Sequence, residues 1–285
     1  SFENIPYGTW YVREIEQPTG FVLDDTIYPV TIGADGQVVE IEIVNRYVRG
    51  NIHLTKVDSE YPDNKLTGAT FEVYKDSNAN GKLDDSDELL GTLTEKEKGE
   101  YSMNDLFHGR YFVKETKAPE GFVLDTGVYE VMIDTNGKTY EVENKAGVGF
   151  INEAMRGNLK IVKTSSDGKV KGFAFRITGA NGYDIILETN DKGEIFIDGL
   201  RIGDYTISEV SNSASSMYVL PADKKATVKL GSTTIVEMHN VLRDTPKTGD
   251  TTNLPLLYAL AGLSAVGIAV CGVIGFKKKK KEDRN

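Results

Sequence analysis

The stretch Gly109-Arg-Tyr111-Phe-Val-Lys-Glu115-Thr-Lys-Ala-Pro119-Glu-Gly121-Phe-Val-Leu-Asp125 is the clearest of three related segments in this 285-residue chain. Gly8, Trp10 and Glu14 match Gly109, Tyr111 and Glu115, and Gly203, Tyr205 and Glu209 match them again, which marks an internal repeat. The first copy continues like the second, through Pro18 to Gly20-Phe-Val-Leu-Asp24, whereas the third departs after Glu209 and runs through serines to Tyr218-Val-Leu-Pro221. Tyr111–Glu115, Ile52–Val57, Leu159–Lys163 and Tyr205–Glu209 alternate apolar and polar residues with many β-branched members, the pattern of half-buried strands. Gly, Asn and Asp clusters punctuate them, and no amphipathic helix interrupts the series before residue 253. Short strands with regular turns predict antiparallel β-sandwiches of roughly 90 to 100 residues each.

A second landmark follows each Glu. Asn45 lies 31 residues after Glu14 and Asn240 lies 31 after Glu209. After Glu115 two asparagines compete, Asn144 and Asn152. The downstream count chooses Asn152, which stands 11 residues before Lys163 as Asn45 stands 11 before Lys56, with Arg-Gly-Asn shared between them. Two complete sets result: Lys56, Glu115 and Asn152, then Lys163, Glu209 and Asn240. In a sandwich the first and last strands can lie side by side, so Lys and Asn could meet in the core. Burial there favours neutral forms, lowering a Lys pKa and raising a Glu pKa. A neutral amine is a nucleophile, and a protonated carboxyl can polarise an amide carbonyl and shuttle the proton. The product would be a Lys–Asn isopeptide bond, formed once with release of ammonia.

The constellation resembles the Cna-B or SpaA-type domains of Gram-positive pilins and adhesins, and Tyr111–Phe122 is similar to the E-box of that family, Y-x-L-x-E-T-x-A-P-x-G-Y. The resemblance covers almost all of residues 1 to 243. It implies an all-β fold of tandem immunoglobulin/prealbumin-like sandwiches, with Glu14, Glu115 and Glu209 as the proton-handling residues. The expected organisation is a partial domain over 1–48, complete domains over 49–153 and 154–243, a sorting motif and spacer over 244–252, a transmembrane helix over 253–276 and a basic tail over 277–285. The first copy has Glu14 and Asn45 but no preceding Lys, and residues 1–4 lack the features of a signal peptide, so the chain is expected to be the C-terminal part of a longer one.

The C-terminal forty residues place the chain. Leu254–Phe276 holds 23 residues without a charge, roughly 34 Å as a helix, enough to cross a bilayer. Asp244 and Asp250 precede it and Lys277–Lys281 follow, so the C-terminus is predicted to be cytoplasmic and the rest outside. Before it stands Thr245-Pro246-Lys247-Thr248-Gly249, in which Pro246 holds the chain extended and Gly249 leaves the preceding bond unshielded. This arrangement resembles the cell-wall sorting signal of Gram-positive surface proteins, LPxTG, with Thr245 where Leu is usual. The resemblance implies sortase cleavage between Thr248 and Gly249, attachment of Thr248 to peptidoglycan, and an extracellular, wall-anchored location. The departure at Thr245 implies a sortase with a different pocket.

Composition narrows the function further. The formal charge is −10, and setting aside a tail with six basic and two acidic residues leaves about −14 outside, which argues against nucleic acid as a partner. The lone cysteine, Cys271, lies in the apolar run, so the exterior has no disulfide to stabilise it. The segment Asp76-Ser-Asn78-Ala-Asn80-Gly-Lys82-Leu-Asp84-Asp-Ser-Asp87 puts oxygen ligands at EF-hand spacing, with Lys82 offering its carbonyl, and predicts a Ca²⁺ loop; a solvated acidic turn is the rival reading. No cofactor is otherwise required. His53, His108 and His239 show no ligand spacing, and no hydrolase or phosphate-loop motif is present, so no turnover enzyme is predicted. Three classes remain: a structural stalk carrying an N-terminal region that binds a host or cell-surface ligand, a ligand-binding adhesin domain, and a pilus subunit linked through a lysine such as Lys65.

Overall fold

The computed structural model describes residues 1–244 as three successive β units containing 21 strands. The first unit holds β1 (Gly8–Val12), β2 (Phe21–Val22), β3 (Tyr28–Ile32) and β4 (Arg46–Tyr47), paired antiparallel as β1–β3 and β2–β4. The middle unit holds β5 (Arg49–Asp58), β6 (Thr70–Lys75), β7 (Glu88–Thr92), β8 (Thr94–Glu97), β9 (Glu100–Phe107), β10 (Gly109–Lys117), β11 (Val128–Ile133), β12 (Thr139–Glu141) and β13 (Phe150–Asn152). The third holds β14 (Arg156–Ser165), β15 (Ala174–Thr178), β16 (Asp184–Glu188), β17 (Glu194–Arg201), β18 (Gly203–Val210), β19 (Tyr218–Val219), β20 (Lys224–Val228) and β21 (Thr233–Leu242), with one 3₁₀ turn at Ala180–Gly182.

In the middle unit one sheet runs β11-β10-β6-β7 and the other β12-β5-β9-β8, with β13 also beside β5. In the third, β16-β15-β18-β20 packs with β17-β14-β21-β19. Most pairs are antiparallel, as short strands joined by regular turns predict. The first and last strands depart from that expectation: β5 with β13, and β14 with β21, are parallel. The two strands run in the same direction and their side-by-side placement closes each unit on itself.

Period two explains what is buried. On β5, Ile52, Leu54 and Lys56 share the inward face; on β14, Leu159, Ile161 and Lys163 do so. Tyr111, Val113 and Glu115 face inward on β10, and Tyr205, Ile207 and Glu209 on β18. Each core is thus apolar except at one end, where the alternation delivers a charged residue type. Phe71, Tyr101, Phe150, Ile52 and Leu54 fill the middle core, with Phe71 edge-on to both Tyr101 and Phe150. Phe173, Phe175, Leu159, Ile161 and Tyr218 fill the third. Tyr111 and Tyr205 each turn a hydroxyl back to a main-chain carbonyl, Phe107 O at 2.7 Å and Arg201 O at 2.9 Å.

Residues 245–285, which include the sorting motif Thr245–Gly249 and the candidate span 253–276, lie outside the described residues. Among the described residues no helix is long and apolar enough to cross a membrane.

Candidate cross-linking site

The turn after each E-box strand builds the acid side of the site. Phe122 N–H donates to Pro119 O at 3.1 Å and Phe21 N–H to Pro18 O at 3.1 Å, closing matching turns. Gly121 and Gly20 occupy their left-handed positions, at φ +84° and +85°, where a side chain would be strained. Each turn carries an aspartate back to the glutamate: Asp125 N–H donates to Glu115 Oε2 at 2.8 Å, and Asp24 N–H to Glu14 Oε2 at 2.7 Å.

The asparagine arrives from the last strand. Asn152 Nδ2 donates to Glu115 Oε2 at 2.9 Å and to Val123 O at 2.7 Å. Asn240 Nδ2 donates to Glu209 Oε1 at 2.6 Å, and Asn45 Nδ2 to Glu14 Oε1 at 2.6 Å. The backbone three residues later repeats as well, since Val48, Met155 and Arg243 N–H donate to Gly20, Gly121 and Met217 O. Met217 therefore stands where the other copies have their turn glycine, which locates the altered third E-box. Asn144, the competing asparagine, is engaged elsewhere: its Nδ2 donates to Asp125 Oδ2 at 2.7 Å and its Oδ1 accepts Ile151 N–H at 2.6 Å.

The lysine comes from the first strand. Lys56 pairs in register with Phe150, two positions short of Asn152, and its Nζ donates to Phe150 O at 2.9 Å. Lys163 pairs with Met238, two positions short of Asn240, with its Nζ on Thr164 O. Alternation puts Lys and Asn on the same face of their paired strands. Lys56, Glu115, Asn152, Lys163, Glu209 and Asn240 are all buried, at 0, 0, 2, 1, 8 and 0 % exposure. Phe150 and Phe173 wall the amines from water, with ring centroids 5.2 and 4.3 Å from Lys56 Nζ and Lys163 Nζ.

Electrostatics follows from that burial. Desolvation lowers the Lys56 pKa to about 8, against the opposing pull of Glu115, Asp125 and Asp58, and it also lowers that of Lys163. Desolvation raises Glu115 and Glu209, against hydrogen bonds from their asparagines and, at Glu115, from Asp125 N–H. In both units one carboxyl oxygen and the asparagine Oδ1 are buried without a hydrogen-bond partner: Glu115 Oε1 with Asn152 Oδ1, and Glu209 Oε2 with Asn240 Oδ1. An orphaned buried acceptor costs about 1–3 kcal/mol, so its recurrence at equivalent atoms marks a site under a shared constraint.

The first unit holds the acid and amide without an amine. Glu14 and Asn45 line a surface cavity of about 460 Å³ together with Arg13, Pro18, Phe21 and Ile43.

The acidic segment Asp76–Asp87 forms the whole connection between β6 and β7. Asp76 accepts Asn80 and Gly81 N–H at 3.2 and 3.0 Å, and Asp87 accepts Ser77 and Asp84 N–H at 3.0 Å each. Asn78 and Asn80 turn their Nδ2 groups onto Asp84 Oδ2 at 3.1 and 2.6 Å, while Lys82 N–H donates to Asn80 Oδ1 at 2.8 Å. Among the described residues no three His, Cys, Asp or Glu side chains are grouped to hold a metal, so as they stand these oxygens serve the loop's own N–H groups. Lys65, in the connection after β5, ion-pairs with Glu100.

Sequence reasoning missed two partners of this site. Asp125 was visible as the last residue of the repeated Gly-Phe-Val-Leu-Asp. Asp58 and Arg201 gave no such signal, because they meet across two units: Arg201 Nη1 and Nη2 lie 2.6 and 2.7 Å from Asp58 Oδ2 and Oδ1.

Tandem all-β units with a buried amine, carboxyl and amide at one end define a recognisable class of surface-protein module. A family model described as SpaA, prealbumin-like fold domain, matches residues 1–47, 50–146 and 157–241, and the chain belongs to that family. The trypsin-resistant surface T6 protein of Streptococcus pyogenes is 30% identical over 186 residues, which are 63% of this chain and 30% of that protein. The solved TIE protein of Bacillus anthracis matches with a TM-score of 0.61 and 25% identity, over 84% of this chain and 42% of that one. GBS52, the minor pilin of Streptococcus agalactiae, covers 70% of this chain and 99% of its own at 19% identity, with a TM-score of 0.33. The chain thus spans about a third of the curated relative it matches.

Proposed function

We propose that the described residues are the stalk of a wall-anchored surface protein, whose middle and third units are each closed by an intramolecular Lys–Asn isopeptide bond. One observation carries the reading: the buried Lys–Glu–Asn set occurs twice, with the same register offset and the same orphaned atoms. A neutral Lys56 amine can donate one N–H to Phe150 O and keep its lone pair for Asn152 Cγ. Protonated Glu115 supplies the donor that the asparagine carbonyl oxygen lacks, stabilising the tetrahedral intermediate. Glu115 then takes the proton from the attacking nitrogen and passes it to the departing amide nitrogen. The Cγ–Nδ2 bond breaks, Cγ–Nζ remains, ammonia leaves and Glu115 ends as it began. Lys163, Glu209 and Asn240 do the same in the third unit, and nothing turns over.

Sorting through Thr248–Gly249, attachment to peptidoglycan and carriage of a ligand-binding region complete the proposed role. Intact-mass measurement of the purified chain tests the central step. A mass short by two molecules of ammonia, with one restored by Glu115→Ala and the other by Glu209→Ala, is expected. An unmodified mass rejects the reading.

A further inference from the structure

Asp58 is a fully buried carboxylate two residues beyond Lys56 on the same strand and directly opposite Asn152 in register. Alternation turns it to the same face as the reacting amine. Three anionic groups bear on that amine: Glu115, Asp125 and Asp58. Glu115 belongs to the chemistry, and Asp125 is held by Gly127 N–H, Tyr129 Oη and Asn144 Nδ2 at 2.6, 3.0 and 2.7 Å. Asp58 receives Glu60 N–H at 2.9 Å, but its countercharge comes from outside the unit. Arg201, at the end of β17 in the third unit, grips both its oxygens as a fork, is itself mostly buried, and also bonds Glu60 Oε2 at 2.7 and 3.0 Å. Its guanidinium lies over the Tyr61 and Phe122 rings, 4.8 and 5.9 Å from their centroids, which fixes its direction.

The third unit supplies an internal comparison. The residue opposite Asn240 there is Ser165, a neutral side chain, and the further anion that bears on Lys163, Asp167, is held from within its own unit by Ser165 Oγ, Tyr218 Oη and Lys169 Nζ at 2.9, 2.6 and 3.3 Å.

We propose that Arg201 is a positioning residue for the neighbouring unit's cross-link: by pairing with buried Asp58 it cancels an anionic charge beside the Lys56 amine, so the middle bond forms once the third unit has docked. An uncompensated Asp58 favours the ammonium form of Lys56, and an ammonium has no lone pair with which to attack. The dependence runs one way, since nothing from the middle unit plays this part at Lys163. This inference rests on the isopeptide reading above, and the test separates the two.

The whole chain is made by cell-free translation and sampled over time, with ammonia loss located on proteolytic peptides holding Lys56–Asn152 or Lys163–Asn240. In Arg201→Ala the middle bond should form about tenfold more slowly, the factor for one pKa unit in the amine, while the third unit's bond keeps its normal pace. Arg201→Lys, which keeps the charge, should recover most of the rate. Arg201→Ala combined with Asp58→Ser should return to the wild-type rate, which loss of a merely structural contact would not do. An unchanged rate in Arg201→Ala overturns the proposal, as does a double variant no faster than the single. If Arg201→Ala also loses the third unit's bond, the variant has misfolded and Asp58→Ser alone decides: it must cross-link at least as fast as wild type, and slower formation overturns the proposal. Absence of ammonia loss in the wild type removes the isopeptide reading itself, whatever the variants do.

Discussion

Lys56 and Asn152 lie on adjacent parallel strands, offset by two positions, so their side chains emerge on the same face at the buried end of the middle unit. The offset recurs between Lys163 and Asn240 although the two E-boxes differ, so it belongs to the way the first and last strands pair.

Closing each unit should be worth a measurable part of its stability. A tie between first and last strands constrains an unfolded loop of about 80 to 100 residues, which by analogy with a disulfide contributes roughly 4–5 kcal/mol. Asn152→Ala should therefore lower the denaturation midpoint of the middle unit sharply, and Asn240→Ala that of the third. Urea unfolding followed by unit-specific proteolysis measures both; a midpoint unmoved by Asn152→Ala contradicts the tie.

Bond formation should have a bell-shaped pH dependence. The reactive state holds one proton, on Glu115, with Lys56 neutral. Below the raised Glu115 pKa a second proton sits on Lys56 and the rate falls. Above the Lys56 value of about 8 the remaining proton is lost, Glu115 can no longer donate, and the rate falls again. Freshly translated chains, unfolded in urea before reaction and refolded across pH 4 to 10, give the profile by mass; a rate rising monotonically to pH 10 would rule out a donor role for Glu115 (pH limits on the order of the ordinary Glu and Lys values).

Asn144 and Asn152 should separate cleanly. Asn144→Ala leaves Ile151 N–H without a partner and removes one of the three donors to Asp125, costing about 1–3 kcal/mol, yet should leave ammonia loss intact. Asn152→Ala should abolish that loss in the middle unit. Peptide mapping of the two variants checks both, and a bond to Asn144 would reassign the site.

The Asp76–Asp87 loop should take up calcium only weakly. An ion must draw Asp84 away from Asn78 and Asn80 Nδ2 and compete with backbone N–H groups for Asp76 and Asp87. Affinity of about 10⁻⁴–10⁻³ M is expected, lost in Asp76→Ala. Calorimetry at millimolar calcium reads it, and absence of heat identifies the loop as a self-bonded acidic turn.

Sorting should leave Thr248 as the last residue, joined to wall peptide. Mass analysis of muramidase-released protein tests this, and mature surface material retaining Lys277–Lys281 contradicts it.

Much of this was legible in the chain because period-two alternation puts Lys56 in line with Ile52 and Leu54, and Glu115 in line with Tyr111 and Val113. A charged residue in an inward register is a local signal. The 11-residue count from asparagine to the next lysine selected Asn152, and the hydrogen bonds to Glu115 agree with that count. The parallel sense of β5 and β13 was not legible, because strand direction depends on how many crossings intervene and local alternation is silent about that. Asp58 and Arg201 were invisible for a related reason: 143 residues separate them, and no spacing rule joins a strand end in one domain to a strand end in the next.

The parallel pairing of first and last strands also sets the route of tension along the chain. Force applied at the two ends of the third unit draws β14 and β21 past each other lengthwise, loading eight registered residue pairs together instead of peeling them one at a time. With Lys56 joined to Asn152, tension entering at Arg49 runs along β5, crosses at the tie and continues toward Arg156. The intervening loop from 57 to 151, roughly 300 Å of chain if drawn straight, stays out of the line of pull. The middle unit would then behave as a short inextensible link, and the compliance of the molecule would reside in its connections.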